Sequence, residues 1–538
     1  MNDDMTPSSR DVNPWAALSA LCIGFFLIMM DTTIVNVAIP GMLIDLNADL
    51  NQITWVNSVY LLTYAVPLLV AGRLGDRLGR KPVFLTGMAI FTAASLWCGV
   101  SGGVETLIAA RALQGVGAAV MAPQTMAFIT TLFPDNRRGA ALGAWGAVAG
   151  VATTVGPLLG GLLVGTAGWQ WIFLVNVPIG LLGLVLTVRL VPGGQPRHNR
   201  RFDVVGTLLS GLGLLALVFG LQNGQHYGWG TVFGPVTVTG VIVTGVLLLV
   251  AFVGWQRYNP REPLMPLTLF RRRNFSAATV AAASIGFALT GLYLPVTLFL
   301  QSALQLSPQQ AGLLMVPMAV SGGIAGPVAG TLSDRISGKW VVLTGFLMFA
   351  GGIGAVAAVT RPDANPWVVA LALLVCGTGA GSAFAPMANV AMSGMPPGLM
   401  GAASGTYNAV RQVGSVVGIA AVSVLLQARL SDSLRSSATA AAADLPPGSR
   451  QEFVDGVSRA GTSSEGFGAA PPAVGDGLAD LAARTFHEAL AHAAGTTLLL
   501  LAGVLVIGSV ACLAMVPRDR EEHRTRKEKV EEPVGAAR

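Results

Sequence analysis

Long apolar runs, broken by short polar segments, fill almost the whole chain. A helix needs about 20 apolar residues to cross the hydrocarbon core of a bilayer. Runs near 15–39, 53–71, 82–101, 105–130, 139–164, 169–190, 204–222, 233–255, 275–301, 309–331, 340–360, 366–393, 401–428 and 493–516 meet that length. The pattern predicts an all-α polytopic membrane protein with about fourteen transmembrane helices. Only one polar segment is long, 429–490, and it is rich in Ala, Ser, Gly and Pro. Its first part reads as mobile. Within it, Leu478, Leu481, Phe486 and Leu490 suggest a short amphipathic helix over 476–491, resting on the membrane surface. The tail 517–538 is charged and reads as disordered.

Composition narrows the class. Of 538 residues, 53% are hydrophobic and 11% charged, with mean hydropathy +0.63; a soluble protein carries roughly 25% charged residues. Sixty-seven glycines and thirty prolines fall mostly within apolar runs, where they suit close helix packing and kinks. Cys22, Cys98, Cys376 and Cys512 also lie in such runs without metal-ligand spacing, so neither a disulfide framework nor a metal site is expected. The net charge of +6 does not point to nucleic acid. No Walker-type loop is present to bind ATP, and the five histidines are scattered, so an enzyme is not expected.

The cations report orientation. With an even number of spans both termini share one side. Placing the N-terminus inside puts 25 of the 33 Lys and Arg residues in inner segments. The positive-inside rule then makes both termini cytoplasmic. No small-residue cleavage pattern follows the first run, so no signal peptide is expected.

Charge inside a span is costly and by default marks a functional site. Asp31 is the one acid deep in any span; Glu105 and Asp203 sit at span ends, and Asp363 in an outer loop. A carboxylate there could carry a proton, or could form a static ion pair between spans 1 and 4. Arg111 shares a helix face with Gln114 and Gly115. It could modulate such an acid, or could snorkel to the interface. Arg411 lies in the cytoplasmic third of span 13, with Asp334 or a carbonyl as a candidate partner; a structural role and a functional one stand equal. Asn36, Tyr64, Tyr60, Trp145 and Tyr293 are candidates to line a path or simply to pack.

Residues 72–81 form a basic loop between the second and third spans, with Asp76 as its single acid. On charge alone it could do no more than fix topology. Its pattern, G-x-L-x-D-R-x-G-R-K, resembles the signature loop of the major facilitator superfamily. Residues 330–339 are a degraded copy after span 10. The two copies suggest two six-helix halves separated by two extra spans. The expected organisation is 1–14 cytoplasmic, 15–190 the first half, 191–256 the insert, 257–516 the second half with its extracellular loop 429–490, and 517–538 the tail.

The string from Arg111 to Ala119 resembles the R-x-x-Q-G-x-G-A-A motif of that superfamily. Gly156-Pro157-Leu158-Leu159-Gly160-Gly161 resembles the motif that separates its antiporters from its symporters. The string from Trp169 to Gly180, and Asp31-x-Thr-x-x-Asn36, resemble the fourteen-span drug:proton antiporter family. The resemblance implies an exporter of drugs or antibiotics, often cationic or aromatic, working as a monomer in the bacterial inner membrane. A proton gradient would drive it and no cofactor would be needed. Asp31 and Arg111 would couple the proton. Gly72, Asp76, Arg77, Gly79, Arg80 and Lys81 would form a cytoplasmic latch, and Gly156, Pro157, Gly160 and Gly161 the antiporter kink. Gln114, Asn36, Tyr64 and Arg411 would lie along the substrate path. Uptake by symport is the alternative within transport, and a membrane receptor the alternative outside it.

Overall fold

The computed structural model describes residues 13–133, 135–193, 203–224, 227–259, 263–395, 399–443, 445–447, 449–460 and 478–516. The first helices are α1 (Pro14–Val37), α2 (Ile39–Asp45), α3 (Leu50–Leu78), α4 (Arg80–Gly99), α5 (Val104–Leu132) and α6 (Asp135–Ala167). The sixth apolar run breaks at Val175 into α7 (Trp171–Leu174) and α8 (Asn176–Leu190). Next come α9 (Val204–Asn223), a hairpin of β1 (Thr231–Phe233) and β2 (Val236–Thr237), and α10 (Val238–Tyr258). The rest are α11 (Arg273–Leu298), α12 (Pro308–Arg335), α13 (Gly338–Val359), α14 (Pro366–Met392), α15 (Met400–Ala442), α16 (Arg450–Ala460) and α17 (Ala479–Leu513).

Twelve helices among the described residues are long and apolar enough to cross a membrane. α3 and α6, of 29 and 33 residues, occupy the places of the expected second and fifth spans. Leu181, Leu182 and Val185 on α8 and Leu247 and Val250 on α10 point outward. In water such surfaces would be costly, but against lipid tails they are neutral.

The internal repeat is visible in atomic detail. α3 opens with a capping box between Asp49 and Gln52, and α12 opens with one between Ser307 and Gln310. Each box satisfies backbone N–H groups that the first helical turn leaves without partners. Gly87 on α4 meets Gly117 on α5 so closely that a Cβ would lie 2.9 Å from the Gly117 carbonyl; Gly345 on α13 meets Gly379 on α14 at the same distance. Lys81 at the start of α4 donates to Val188 O in the last turn of α8 (2.9 Å), and Lys339 at the start of α13 donates to Leu513 O at the end of α17 (2.7 Å). Both lysines place positive charge on carbonyls that a helix end leaves unpaired.

Two expectations need correction. Segment 72–81 is not a loop: residues 72–78 complete α3, and Gly79 alone separates it from α4. Gly79 has φ +100, which only glycine adopts without strain, so one residue makes the turn. The described parts of segment 429–490 (429–443, 445–447, 449–460 and 478–490) likewise differ from a mobile loop with a helix lying on the membrane, and the rest of it lies outside the described residues. α15 runs for 43 residues to Ala442, about 65 Å, roughly twice the hydrocarbon thickness. The stretch after Leu478 is not a separate surface helix but the first turns of α17. Leu430, Leu434 and Ala438 on α15, Ala482, Phe486 and Ala489 on α17, and Phe453 and Val457 of α16 are all buried in one apolar cluster. Their apolar faces cover one another, which stabilises helices beyond the membrane despite a polar composition.

α9 lies beside α3 and α15, and α10 packs against α9. Asp203 caps α9 through Gly206 N (2.9 Å) and accepts from Trp255 Nε1 (2.7 Å) and Gln256 Nε2 (2.8 Å) on α10. Burial pushes its carboxyl up, but the hydrogen bonds from Gly206, Gln256, Trp255 and Asn259 outweigh that and hold it below the usual carboxylate range. A lowered value means the ionised form stabilises the fold above about pH 4, and the contribution fades as pH falls through the folded-state value. Asp203→Ala is therefore expected to cost about 1–2 kcal/mol at neutral pH, with the deficit shrinking below pH 4. Thermal unfolding in detergent micelles at both pH values checks this, and a deficit independent of pH would contradict it.

Candidate functional site: a buried ion pair and its clamp

The site begins with α1, whose all-round apolar sequence places its one acid inside a helix bundle. Asp31 stands about two turns before the end of α1, nearer that end than mid-span. It is wholly buried, as is Arg111 on α5, and the two meet at 2.6 Å between Oδ2 and Nη1. Arg111 does not snorkel. Gln114, one turn on, donates to Asp31 Oδ1 (3.0 Å) and accepts from Arg111 Nη1 (2.7 Å). Arg111 Nε donates to Val56 O on α3 (3.1 Å), and its guanidinium lies 4.0 Å from the ring centroid of Tyr60. The contact combines charge assistance with attraction to the ring face.

The break at Val175 completes the shell. It places Asn176 at the start of α8, where Nδ2 reaches Asp31 Oδ1 (3.4 Å) and Ser95 Oγ (3.0 Å). Ser95 donates to Phe173 O (3.0 Å) and accepts from Gln114 Nε2 (3.1 Å). Trp169, fully buried, packs edge-on to Phe173, while Trp171 is exposed as an interface anchor would be. Five helices thus converge on one carboxylate. Three polar atoms in the shell, Arg111 Nη2, Asn176 Oδ1 and the Tyr60 hydroxyl, have no hydrogen-bond partner among the described residues. Ser95, Asn176 and Tyr60 were not predicted here. Asn176 carried a signal, as the polar residue within an apolar span; Ser95 carried none.

The remaining predicted residues fall in three places. Asn36 is buried and accepts from Asn57 Nδ2 (2.8 Å). Gln114 is wholly engaged with Asp31 and Arg111, and Tyr64 is buried on α3, so neither is open to solvent here. Arg411 is partly exposed on α15. Glu105 is exposed at the start of α5. In segment 72–81, Arg80 donates to Ala127 O (2.8 Å), and Gly75 lies against the side chain of Gln124, which itself donates to Ala71 O (2.7 Å). Arg77 is exposed. Gly72 and Asp76 are helical residues of α3, but the Asp76 side chain lies outside the described residues, as does that of Asp334.

The glycine motif of α6 sits between two partners. Gly156 lies against Thr33 and Gly160 against Ile34, both on α1. On another side, a Cβ on Gly161 would come within 2.7 Å of Pro308 O, and one on Gly312 within 2.6 Å of Pro157 O. α6 therefore touches α12 backbone to backbone. Two hydrogen bonds join early and late helices near the same end: Gln301 Nε2 to Val37 O (2.9 Å) and Ser423 Oγ to Thr54 Oγ1 (3.1 Å). These contacts all lie on the face opposite the basic segments 72–81 and 330–339.

The profile of the Major Facilitator Superfamily matches residues 21–419. The chain belongs to this superfamily. Among curated relatives, it is 38% identical over 420 residues to the methylenomycin A resistance protein of Streptomyces coelicolor, covering 78% of this chain and 86% of the relative. It is 34% identical over 422 residues to the tetracenomycin C resistance and export protein of Streptomyces glaucescens, covering 78% and 77%. Its fold matches the crystal structure of a bacterial homolog of the human lysosomal transporter Spinster, in an inward-facing and unoccupied conformation. That match has TM-score 0.62 and 16% identity and covers 93% and 97% of the two chains. This facilitator is thus an integral membrane transporter with the major facilitator fold, and not an enzyme.

Proposed function

We propose that this facilitator exports drug-like or antibiotic small molecules from the bacterial cytoplasm in exchange for protons, by alternating access. The observation that carries the reading is the Asp31–Arg111 pair, wholly buried among residues that hold both groups by hydrogen bonds. A buried carboxylate stays ionised only while its cation stays beside it. Any rearrangement that draws Arg111 away leaves a charge in a dry site, and taking up a proton removes that cost. The pair can thus tie a proton to a conformational change. The resistance and export functions named for the relatives support the direction and the substrate class.

In this reading residues 15–190 and 257–516 are the two moving halves, and α9 and α10 are two extra spans that bring the total to fourteen. Both termini are cytoplasmic and the protein works as a monomer. The contacts at Gly161, Gln301 and Ser423 then hold the outer side shut, giving an inward-facing state. Segment 72–81, with Asp76, latches the inner side when the halves rock. The gradient supplies enough energy: one charge moved through 100 mV yields about 2.3 kcal/mol, or roughly a forty-fold substrate gradient per proton. No cofactor takes part.

Inverted membrane vesicles test the whole reading. An imposed pH gradient, acid inside, is expected to drive accumulation of an amphipathic fluorescent probe, and a protonophore to release it. Accumulation that ignores the gradient would remove the antiport claim, and gradient-driven flux in the opposite sense would favour symport.

A further inference from the structure

Arginine stays charged when buried, and Arg111 has Asp31 to answer its charge. Among the described residues Arg411 has no such partner. It lies on α15 about 16 Å along the axis from Met400. Among the described residues no carboxylate pairs with it, and its Nε has no hydrogen-bond acceptor. Asp334 belongs to the last turn of α12, and its side chain lies outside the described residues.

The surroundings of Arg411 are aromatic. Its guanidinium lies 5.3 Å from the ring centroid of Phe384 on α14. Tyr407 lies one turn earlier on α15, and Tyr64 of α3 packs in the apolar cluster that holds Val416 and Ile419 of α15. The Tyr407 hydroxyl is buried and also lacks a partner. The position is a seam between the two groups of helices. It begins at Ser423 and Thr54, continues where Val416 and Ile419 pack with Tyr60 and Tyr64, and reaches Arg411 toward the basic face. Arg411 is only partly covered there, whereas Tyr64 and Tyr407 are each 4% exposed.

We propose that Arg411 is a substrate anchor, and that the exported molecule carries an acidic group, a carboxylate or acidic phenol, on a planar aromatic body. The inference rests on the export reading and narrows its substrate class. A guanidinium binds a carboxylate through paired N–H donors, and Phe384, the exposed ring beside it, offers a face to an aromatic body. The Tyr407 hydroxyl supplies a further donor. A cationic drug would instead meet an unanswered positive charge, so the cationic substrates implied by family resemblance fit this seam poorly.

The test measures equilibrium binding to the purified full-length protein without any gradient. The probes are anthraquinone-2-carboxylate, its methyl ester and the 2-aminomethyl analogue. The acid is expected to bind about tenfold or more tighter than either of the others, as a charge-assisted bidentate pair allows. Arg411→Gln is expected to erase that advantage and leave ester binding unchanged. Equal binding of acid and ester, or preference for the amine, would overturn the proposal. So would an Arg411→Gln protein that weakens all three alike, because that marks a purely structural arginine. Should this variant fail to fold, the wild-type ranking of the three probes decides alone. With no gradient present, failure of the anchor and failure of proton coupling remain separate results.

Discussion

Asp31→Asn will abolish gradient-driven accumulation of substrate while leaving substrate binding in place. Asparagine keeps the shape, and its one amide oxygen can accept from Arg111 or from Gln114 but not from both in their present places; it cannot take up or release a proton. The variant therefore retains the site and loses the coupling. Its fold is also weakened, because removing one partner of a buried ion pair typically costs about 3–5 kcal/mol. The Arg111→Gln variant makes the useful contrast. Arginine left alone by Asp31→Asn cannot neutralise itself, whereas aspartate left alone by Arg111→Gln can do so by binding a proton. Arg111→Gln is therefore expected to be the better folded of the two. Melting curves of both variants from pH 5 to 8, beside vesicle transport, separate the roles. Full transport by a folded Asp31→Asn protein would reduce the pair to a structural tie and shift the search for coupling elsewhere.

Joining α6 to α12 will stop transport almost completely, and cutting the join will restore it. A Cβ built on Gly161 would lie 3.4 Å from the Gly312 Cα, and one on Gly312 would lie 3.3 Å from the Gly161 Cα. Paired substitutions Gly161→Cys and Gly312→Cys thus come within reach of disulfide formation, with some local yielding near Pro308 and Pro157. The four native cysteines are buried, so mild oxidation should favour the new pair. If this seam must open for release, the oxidised protein should lose at least about tenfold in flux, and a reductant should return it. A fully cross-linked protein that transports normally would show that these two helices do not part.

Much of the fold and the centre of the site were legible in the sequence. The spans were readable because a bilayer imposes one length on every crossing helix. Asp31 and Arg111 stood out because charge is rare where it is costly. Their pairing was not readable, since it depends on how α1 and α5 sit side by side. The shell was still less so: Ser95 looks like any small polar residue in an apolar run, and Asn176 acquires its place only through the break at Val175. The Gly87–Gly117 and Gly345–Gly379 contacts were hidden for a related reason, because each glycine matters through a partner some thirty residues away. At 429–442 and 450–460 the expectation of a mobile segment failed because composition was taken as a guide to order. Alanine and serine there are helix-compatible, and the faces that bury one another lie on segments far apart in sequence.

The helices that rise beyond the membrane have a practical side. Transporters of this size offer almost nothing outside the detergent belt by which particles can be aligned in electron cryomicroscopy. Here α15, α16 and the first turns of α17 form a packed projection on the face opposite the basic segments. A nanobody raised against the exposed side of α16 would provide a rigid fiducial, held by a continuous helix to the seam where Arg411 and Tyr64 meet. Movement of that helix during a transport cycle would then be seen directly as a tilt of the bound marker.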